Sequence, residues 1–428
     1  MPLFPHTSES KQSYLFQEKY IKEQLSQDHL RAERLKNIVS DLGPMNENCK
    51  ISICIPAYRE SWIIANTLKH YTLHQIDHTG KSLDPNIFEI NILINKPNAD
   101  TPDDEAMQEE IQAFRKTYCE YHINIAQVTY DFPKKPIIGL IFKDIADAVI
   151  MRNLSRTSLW EKEKSRLILR TAGADVESLN PLLLSRTLSI FSNSNVVAHR
   201  WETRLPPELL QSFPLLHVMQ TLAVFLLRQY HGNQTINGPF SYTAEAYSRV
   251  WWFNPKKSLW EEIELSKKIW TLTHNIEEQL LFIKDLVKDV LNNPRRQIHS
   301  LLHGSGMAGR YQNFWQASHE NHLRMVGNDW KSITPENIPD FCLLTCENLS
   351  REVSAYYRVY IKIAQANNTP IEDIDIIFMK AFRLSGITEY SFNKGALGSD
   401  NSIEIKNIDT LVSQMKKQNF SWGKTFRV

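Results

Sequence analysis

Side chains with metal-binding and acid–base chemistry recur at four places, each beside a predicted strand or helix. They are Tyr58 with Glu60, Asn95, Asp175 with Glu177, and Glu261 with Glu262. A carboxylate just beyond a buried strand is held rigidly at a cleft, as coordination of a hard divalent ion on a diphosphate requires. Each also has a structural interpretation, because carboxylates cap turns and helices or lie in solvent at a helix start. The prediction of a functional site therefore rests on the order of the four groups along the chain.

Strand-like segments alternate with helical patterns through the first half of the chain. Strands are predicted at residues 51–55, 88–94, 123–130, 166–170 and 195–202, with a turn and strand within 237–242. Helices are predicted at residues 62–71, 105–118, 136–151, 182–191, 215–230 and 258–270. This alternation predicts an α/β fold with a mostly parallel sheet and helices on both faces, whose ligands bind at the carboxyl ends of the strands.

The two ends of the chain have a different character. Residues 11–42 predict an amphipathic helix or helix pair that ends at Gly43-Pro44, either covering its own domain or packing against a partner chain. Residues 310–384 have helical patterns, including 348–366 and 371–382, and predict a helical C-terminal region. We expect an N-terminal extension at 1–48, a central domain at 49–308 divided at residue 181, and a C-terminal region at 309–428.

Composition excludes some classes of function. With 49 basic and 48 acidic residues the net charge is +1, too little to predict a dedicated nucleic-acid binder. Five cysteines without paired CxxC clusters, and no leader pattern, predict a cytoplasmic protein. The apolar run at 215–227 is too short to span a bilayer; it predicts a core helix or, alternatively, a peripheral contact with a membrane interface.

The first motif resembles a known family. Pro56-Ala-Tyr-Arg-Glu60 after the first strand, with Thr67-Leu68 in the next helix, is similar to the opening of the inverting family-2 glycosyltransferases of GT-A fold. The resemblance runs from about residue 51 to residue 270. It implies a GT-A-like fold, and it implies that Pro56, Ala57, Tyr58 and Glu60 lie against the nucleotide of a donor, with Asn95 beside them. Arg59 stands where the family commonly has asparagine.

The second motif resembles the metal-binding Asp-x-Asp of the same family. In the stretch Thr171-Ala-Gly-Ala-Asp175, only the second aspartate is present, as Asp175, and Gly173 occupies the first position. The resemblance implies that Asp175 binds the Mg²⁺ or Mn²⁺ that bridges the donor diphosphate, while Gly173 lines the donor. Glu177 could restore a second carboxylate, although it lies two residues further on.

The third and fourth motifs resemble the acceptor side of the family. Asn237-Gly-Pro-Phe-Ser-Tyr242 and the later Trp251-Trp252 correspond to a Gly-containing strand and a Gly-Gly-Phe turn, so Asn237, Gly238 and both tryptophans are implied acceptor residues. The tryptophans either stack on sugar faces or pack the core. Glu261-Glu-Ile-Glu-Leu265 resembles the Glu-Asp-x-x-Leu motif, which implies that Glu262 is the general base, with Glu261 beside it.

Two histidines late in the sequence and two lysines are further candidate site residues. His303, with His299 one helical turn before it, is a candidate third metal ligand, because GT-A enzymes sometimes supply a late histidine. Lys143 and Lys135, around a predicted helix start, are candidates for the diphosphate, with solvent exposure as the alternative.

The resemblance implies a glycosyltransferase of hexosyltransferase type. Such an enzyme moves a sugar from a nucleotide-diphosphate sugar to a hydroxyl of a saccharide, lipid-linked or small-molecule acceptor, with inversion. The alternative is a catalytically degenerate GT-A-like module that binds a nucleotide sugar or a partner, as Gly173 and the two tryptophans suggest. A nucleotidyltransferase is disfavoured, because no glycine-rich phosphate loop follows the first strand.

Overall fold

A computed structural model describes residues 7–58, 60–96, 102–130, 138–156, 166–193, 195–204, 214–231, 240–251, 261–275, 281–292, 340, 343–366, 369–395 and 401–417. The chain divides into two compact units. The sheet unit comprises Met1–Arg204 and Ile236–Asn292, and the second unit comprises Leu205–Thr235 and Asn293–Val428.

The predicted strands and helices of the first half of the chain are present. The strands are β1 Ile51–Ala57, β2 Phe88–Lys96, β3 Ile123–Thr129, β4 Ile168–Thr171, β5 Val176–Leu179, β6 Val196–Arg204, β7 Phe240–Thr243, β8 Leu281–Asn292, β9 Glu389–Asn393 and β10 Ser402–Asn407. Of these, β5, β8, β9 and β10 are strands that the sequence did not predict. The helices are α1 Thr7–Gln27, α2 His29–Leu42, α3 Ser61–Tyr71, α4 Pro102–Thr117, α5 Ile138–Leu154, α6 Leu183–Phe191, α7 Pro214–His231, α8 Ala244–Val250, α9 Glu261–Asn275, α10 Cys346–Ala366, α11 Ile371–Ser385 and α12 Asp409–Lys417.

The sheet unit is built on eight strands in the order β3-β2-β1-β4-β7-β6-β8-β5. Strands β1 to β4 are mutually parallel, whereas β7 runs antiparallel to both β4 and β6. Strand β8 is parallel to β6 and antiparallel to β5. The predicted α/β class with a mostly parallel sheet is therefore confirmed. The order reverses between β1 and β4, because the chain first adds β2 and β3 on one side of β1 and then β4 on the other.

Both faces of the sheet are covered, as parallel strands require. On one face the odd residues of β1, Ile51, Ile53 and Ile55, pack with apolar side chains of α3, α4 and α6. On the other face Cys54 and Leu93 pack with α1, α2, α5 and α8. The alternation along β1 thus divides the core of the sheet unit into two layers, with helices on both sides.

The N-terminal region forms the predicted helix pair, and it packs within the sheet unit. Helix α2 begins after Asp28, whose side chain accepts a hydrogen bond from the Arg31 backbone N–H. It ends at Gly43, which adopts a φ of +68°, a conformation that favours glycine. Leu35 and Ile38 are fully buried against the sheet unit. The pair therefore covers its own domain, one of the two alternatives from the sequence.

The second unit has its own core, formed by α7, α10, α11, α12, β9 and β10. Strands β9 and β10 pair in antiparallel fashion and add a small sheet to the predicted helices. The Ser354 hydroxyl on α10 donates to the Ile403 carbonyl, and it accepts from the Ile403 N–H at 2.8 Å, which ties this sheet to the helix. The apolar run at 215–227 lies in α7, where Leu215 and Leu222 are buried in this core. Among the described helices, none combines the length and apolarity needed to cross a bilayer.

Candidate functional site

Glu60, Asn95 and Asp175 lie at or just beyond the carboxyl ends of β1, β2 and β4. Strands β1 and β4 are in register at Cys54 and Thr171, and the next residue of β4, Ala172, donates its N–H to the Cys54 carbonyl at 3.0 Å. The loop that carries Asp175 therefore leaves the sheet beside the end of β1. This is the point where the strand order reverses, the usual location of ligands in parallel α/β sheets.

Glu60 lies at the start of α3, immediately after the end of β1. Its backbone carbonyl accepts hydrogen bonds from the N–H groups of Ile63 and Ile64, so it occupies the N-cap position. Its side chain makes no capping hydrogen bond and is only 3% exposed. The carboxylate of Glu60 therefore does not cap α3, which was its structural interpretation.

Asn95 lies on β2 next to the end of the strand. It pairs in register with Val128 of β3 and is 7% exposed. Its carbonyl oxygen Oδ1 has no hydrogen-bond donor in the described part of the chain. Buried acceptors are nearly always paired, so an unpaired one at the end of a parallel strand fits a site whose ligand supplies the donor.

Side chains of α3 hold the backbone of the loop that carries Asp175, called the Asp175 loop below. The Thr67 hydroxyl donates to the Ala174 carbonyl at 2.7 Å and accepts from the Val176 N–H at 3.1 Å. The Asn66 amide donates to the Val176 carbonyl at 2.9 Å, and to that of Glu177 at 3.1 Å. These bonds bracket Asp175 on both sides. They fix its backbone while leaving its carboxylate to other partners.

Gly173 makes room for the side chain of Asp175. A Cβ atom added at Gly173 would lie 2.8 Å from Oδ1 of Asp175, closer than real Cβ contacts. The carboxylate of Asp175 therefore lies over the position that a side chain at residue 173 would occupy. A glycine at this position thus permits the observed placement of the Asp175 carboxylate.

The residues present fit a divalent ion only together with the phosphates of a substrate. Within the described ranges no group of three or more His, Cys, Asp or Glu side chains is arranged to hold a metal. Mg²⁺ is commonly bound through one or two carboxylates and substrate phosphates, so a single carboxylate on a rigid loop is a sufficient protein contribution. The Asn95 oxygen, which has no donor among the described residues, agrees with a ligand at this edge.

Lys143 is not at this edge, which corrects its assignment to the donor diphosphate. It lies on α5 and is 2% exposed. Its ammonium donates to Gln24 at 2.6 Å, to Asp147 at 2.9 Å and to the Tyr20 hydroxyl at 3.4 Å. Burial lowers the pKa of Lys143 below its ordinary value, and the ion pair with Asp147 offsets part of this effect. The lysine anchors α1 to α5, and solvent exposure, its other interpretation, is excluded as well.

Asp147 is the centre of that buried network. Its Oδ1 accepts from the hydroxyls of Tyr20 at 2.6 Å and Tyr247 at 3.1 Å, and its Oδ2 accepts from Arg31 and Lys143. Burial would raise the pKa of Asp147, but the two cations lower it below its ordinary value. The carboxylate stays charged, and it joins α1, α2 and α8 to α5.

Trp251 follows α8 in a left-handed conformation with φ +61°, at a position where the resembling family has glycine. Its ring packs edge-on against Tyr20, with centroids 6.2 Å apart, and the residue is 39% exposed. Bulky residues rarely adopt positive φ, and such strain is often found at functional sites. Trp251 is therefore partly packed in the core, and part of its side chain remains accessible to a ligand.

The remaining predicted residues are described partly or not at all. Helix α9 begins at Glu261, so Glu261 and Glu262 lie in its first turn, as expected, but only their backbone is described. Asn237, Gly238, Trp252 and His303 lie outside the described residues, as do Lys135, His299 and Arg59.

The sequence interpretation missed the roles of Asn66 and Thr67. From the sequence, Thr67 has only a resemblance to the family, and Asn66 has no predicted role. One signal was present, because both interrupt an otherwise apolar stretch at Ile63, Ile64 and Leu68. A buried polar residue on the inner face of a helix needs a partner, and here the partner is the next loop of the site.

Comparisons with known proteins show similarity in fold. No family profile and no curated protein matches the chain. Among solved structures it is similar to the mannosyltransferase PcManGT from Pyrobaculum calidifontis in complex with GDP-Man and Mn²⁺, with a TM-score of 0.38 and 11% identity over 87% of this chain and 92% of that one. It is also similar to glucosyl-3-phosphoglycerate synthase from Mycobacterium tuberculosis in complex with Mn²⁺, UDP and phosphoglyceric acid, with a TM-score of 0.34 and 12% identity over 88% and 95% of the two chains. At such low scores and identities, no statement about the ligands of this chain rests on these matches.

Proposed function

We propose that this chain is a glycosyltransferase that moves a sugar from a nucleotide-diphosphate sugar to an acceptor hydroxyl, with inversion and with the help of Mg²⁺ or Mn²⁺. One observation carries the proposal. Glu60, Asn95 and Asp175, from three separate motifs, lie at the carboxyl ends of adjacent parallel strands, where the strand order reverses. The ordered motifs of the family resemblance assign the chemistry to this edge.

The donor is assigned to the loops after β1, β2 and β4. Pro56, Ala57 and Tyr58 would line the nucleotide, with Glu60 and Asn95 offering a carboxylate and an amide oxygen to its hydroxyl groups. Asp175 would hold the divalent ion on the diphosphate, with His303 as a further candidate ligand, and Gly173 would line the same pocket. Bound there, the ion would neutralise charge on the diphosphate as it leaves.

The transfer step is a single displacement. The acceptor oxygen forms a bond to the anomeric carbon while the bond from that carbon to the diphosphate oxygen breaks, on the opposite side. Glu262 takes the proton of the acceptor hydroxyl as general base, and Glu261 lies beside it in the first turn of α9. Asn237, Gly238, Trp251 and Trp252 are assigned to the acceptor, which is a saccharide, a lipid-linked carrier or a small molecule.

The first test measures binding before chemistry. Unfolding temperatures are recorded with UDP, GDP, CDP, dTDP and their sugars, each with and without Mn²⁺. A ligand that binds only the folded state adds about 2.7 kcal/mol at a hundredfold excess over Kd, so a true donor raises Tm by several degrees. Asp175→Asn should abolish the part of the shift that depends on Mn²⁺, whereas the exposed Asp41→Asn should not.

The second test measures transfer with the donor identified in this way. Glu262→Gln should reduce turnover by about 100-fold or more while the donor-induced shift remains. The matched control is Glu264→Gln on the same helix, whose side chain forms a surface ion pair with Lys268. Full turnover in Asp175→Asn and Glu262→Gln together would refute the assigned mechanism.

A second candidate function is a nucleotide-sugar-binding module without turnover. It is favoured by Gly173 at the first position of the metal motif and by the strained Trp251 at a glycine turn. Metal-dependent binding with neither transfer nor hydrolysis of any donor would support this function, and hydrolysis of the donor would exclude it.

A further inference from the structure

Two histidines meet at the C-terminal end of α3, away from the motifs assigned above. His70 and His74 are four residues apart, and their Nδ1 atoms lie 3.1 Å from each other. Their ring centroids are 4.6 Å apart, with an angle of 81° between the ring planes. His70 is half-buried and His74 is exposed. A hydrogen bond from the His74 N–H to the Lys69 carbonyl, at 3.1 Å, holds the turn that brings the second ring back over the first.

The His70 ring lies beside the backbone of Glu177, and its Nδ1 faces His74. In a ligating histidine the second ring nitrogen typically has a carbonyl or a carboxylate beside it.

The distance between the two Nδ1 atoms matches the spacing of two ligands on one ion. Two nitrogens that each lie about 2.0–2.1 Å from a metal are about 2.9 Å apart at a right angle and about 3.4 Å apart at the tetrahedral angle. The observed 3.1 Å lies between these values. Since His74 is exposed, its ring can rotate, so that the nitrogen that now faces His70 can be directed to a shared ion.

We propose that His70 and His74 form a binding site for one imidazole-preferring divalent ion, of the class of Cu²⁺, Ni²⁺ and Zn²⁺. No third His, Cys, Asp or Glu in the described ranges completes the site, so water fills the remaining positions. Binding is therefore exchangeable, and affinities follow the order Cu²⁺ above Ni²⁺ and Zn²⁺, with Mn²⁺ far weaker. The site differs from the Asp175 loop, whose carboxylate prefers hard ions.

The pair is nevertheless connected to that loop. The backbone beside His70 is that of Glu177, two residues beyond Asp175, and the Glu177 carbonyl accepts from Asn66. An ion on the histidines would fix the His70 ring beside the strand that follows the Asp175 loop. This is a physical route by which a transition metal could affect the loop without binding to it.

The test is a calorimetric titration of the full chain with Cu²⁺, and separately with Zn²⁺, in a buffer that does not bind metals. Because the chain has 14 histidines, the readout is the number of sites lost by each variant. His70→Ala and His74→Ala should each lose the same single site, or weaken it by tenfold or more. His29→Ala, at an exposed histidine on α2, and Asp175→Asn should both retain it.

Two results would overturn this proposal. One is wild-type protein that binds no Cu²⁺, and the other is equal stoichiometry and affinity in wild type and in His74→Ala. His74 is exposed, so its variant is expected to fold, and it decides the question alone if His70→Ala is unstable. The Asp175→Asn variant distinguishes this site from the proposed function. It should lose metal-dependent donor binding and still bind Cu²⁺ at the histidines.

Discussion

Replacing Thr67 by valine tests whether α3 positions the Asp175 loop. Valine has nearly the same shape as threonine, so the change removes a hydroxyl without opening a cavity. The hydroxyl donates to the Ala174 carbonyl at 2.7 Å and accepts from the Val176 N–H at 3.1 Å. A buried polar group left unpaired costs about 1–3 kcal/mol, so two such groups lower the unfolding free energy by about 2–6 kcal/mol. We also expect the folded variant to lose affinity for the metal–nucleotide complex, because the backbone on both sides of Asp175 is released.

The matched control is Thr72→Val at the end of the same helix. Thr72 is also buried, but its hydroxyl donates to the Leu68 carbonyl, which already accepts the backbone N–H of Thr72 at 3.0 Å. No backbone group is left unpaired, so we expect a cost below about 1 kcal/mol. Denaturant unfolding and the Mn²⁺-dependent thermal shift are measured for both variants. Equal stability costs, or a Thr67→Val protein with a full metal-dependent shift, would refute the reasoning.

Three further changes probe the same unit. Gly173→Ala would place a Cβ 2.8 Å from Oδ1 of Asp175, so we expect the Mn²⁺-dependent thermal shift to fall while the shift without metal persists. Asn95→Leu removes a buried oxygen that has no donor among the described residues, so calorimetry should show weaker nucleotide binding, with the unfolding free energy changed by less than about 1 kcal/mol. Asp147→Asn leaves Lys143 buried without its carboxylate and should cost about 3–5 kcal/mol at pH 7, measured by denaturant unfolding. The folded-state pKa of Asp147 is lowered, so its carboxylate stabilises the fold at pH values above its unfolded-state pKa. This stabilisation is lost as the pH falls through the folded-state pKa. The difference in unfolding free energy between wild type and Asp147→Asn should therefore decrease on acidification.

The parallel part of the sheet could be predicted because its strands are buried on both faces. Strands β1 and β2 are almost entirely buried, and in the sequence each is a short run rich in isoleucine between helical patterns. Once strands and helices alternate, the convergence of the loops after β1, β2 and β4 follows from the geometry of parallel sheets. The sequence therefore predicts that Glu60, Asn95 and Asp175 lie at one edge of the sheet.

Strands β8, β9 and β10 could not be predicted in the same way. In β8 the apolar residues Ile283, Leu286, Val287, Val290 and Leu291 have the spacing of a helix face, yet this segment pairs with β6 and β5. Pairing with strands distant in sequence decides its conformation, and local periodicity does not contain that information.

The partners of the charged residues could not be predicted from the sequence either. Lys143 is one turn from Asp147 on α5, which a helical pattern shows, but its other partners, Gln24 and Tyr20, lie more than 100 residues earlier in the chain. A lysine near a predicted helix start fits both an anion site and a buried ion pair, and only the packing of α1 distinguishes them. The same reasoning applies to Thr67, whose partner loop is contributed by a segment 107 residues away.

The Asp147 network also sets an order for biosynthesis. Tyr20 is separated by 127 residues from Asp147, the acceptor of its hydroxyl, and Tyr247 joins the same carboxylate a further 100 residues on. At about 5–20 residues per second, Tyr20 is synthesised about 6–25 s before Asp147. Helix α1 is thus made well before its partners, and the nascent chain must carry its inner face unpaired until α5, and later α8, emerge.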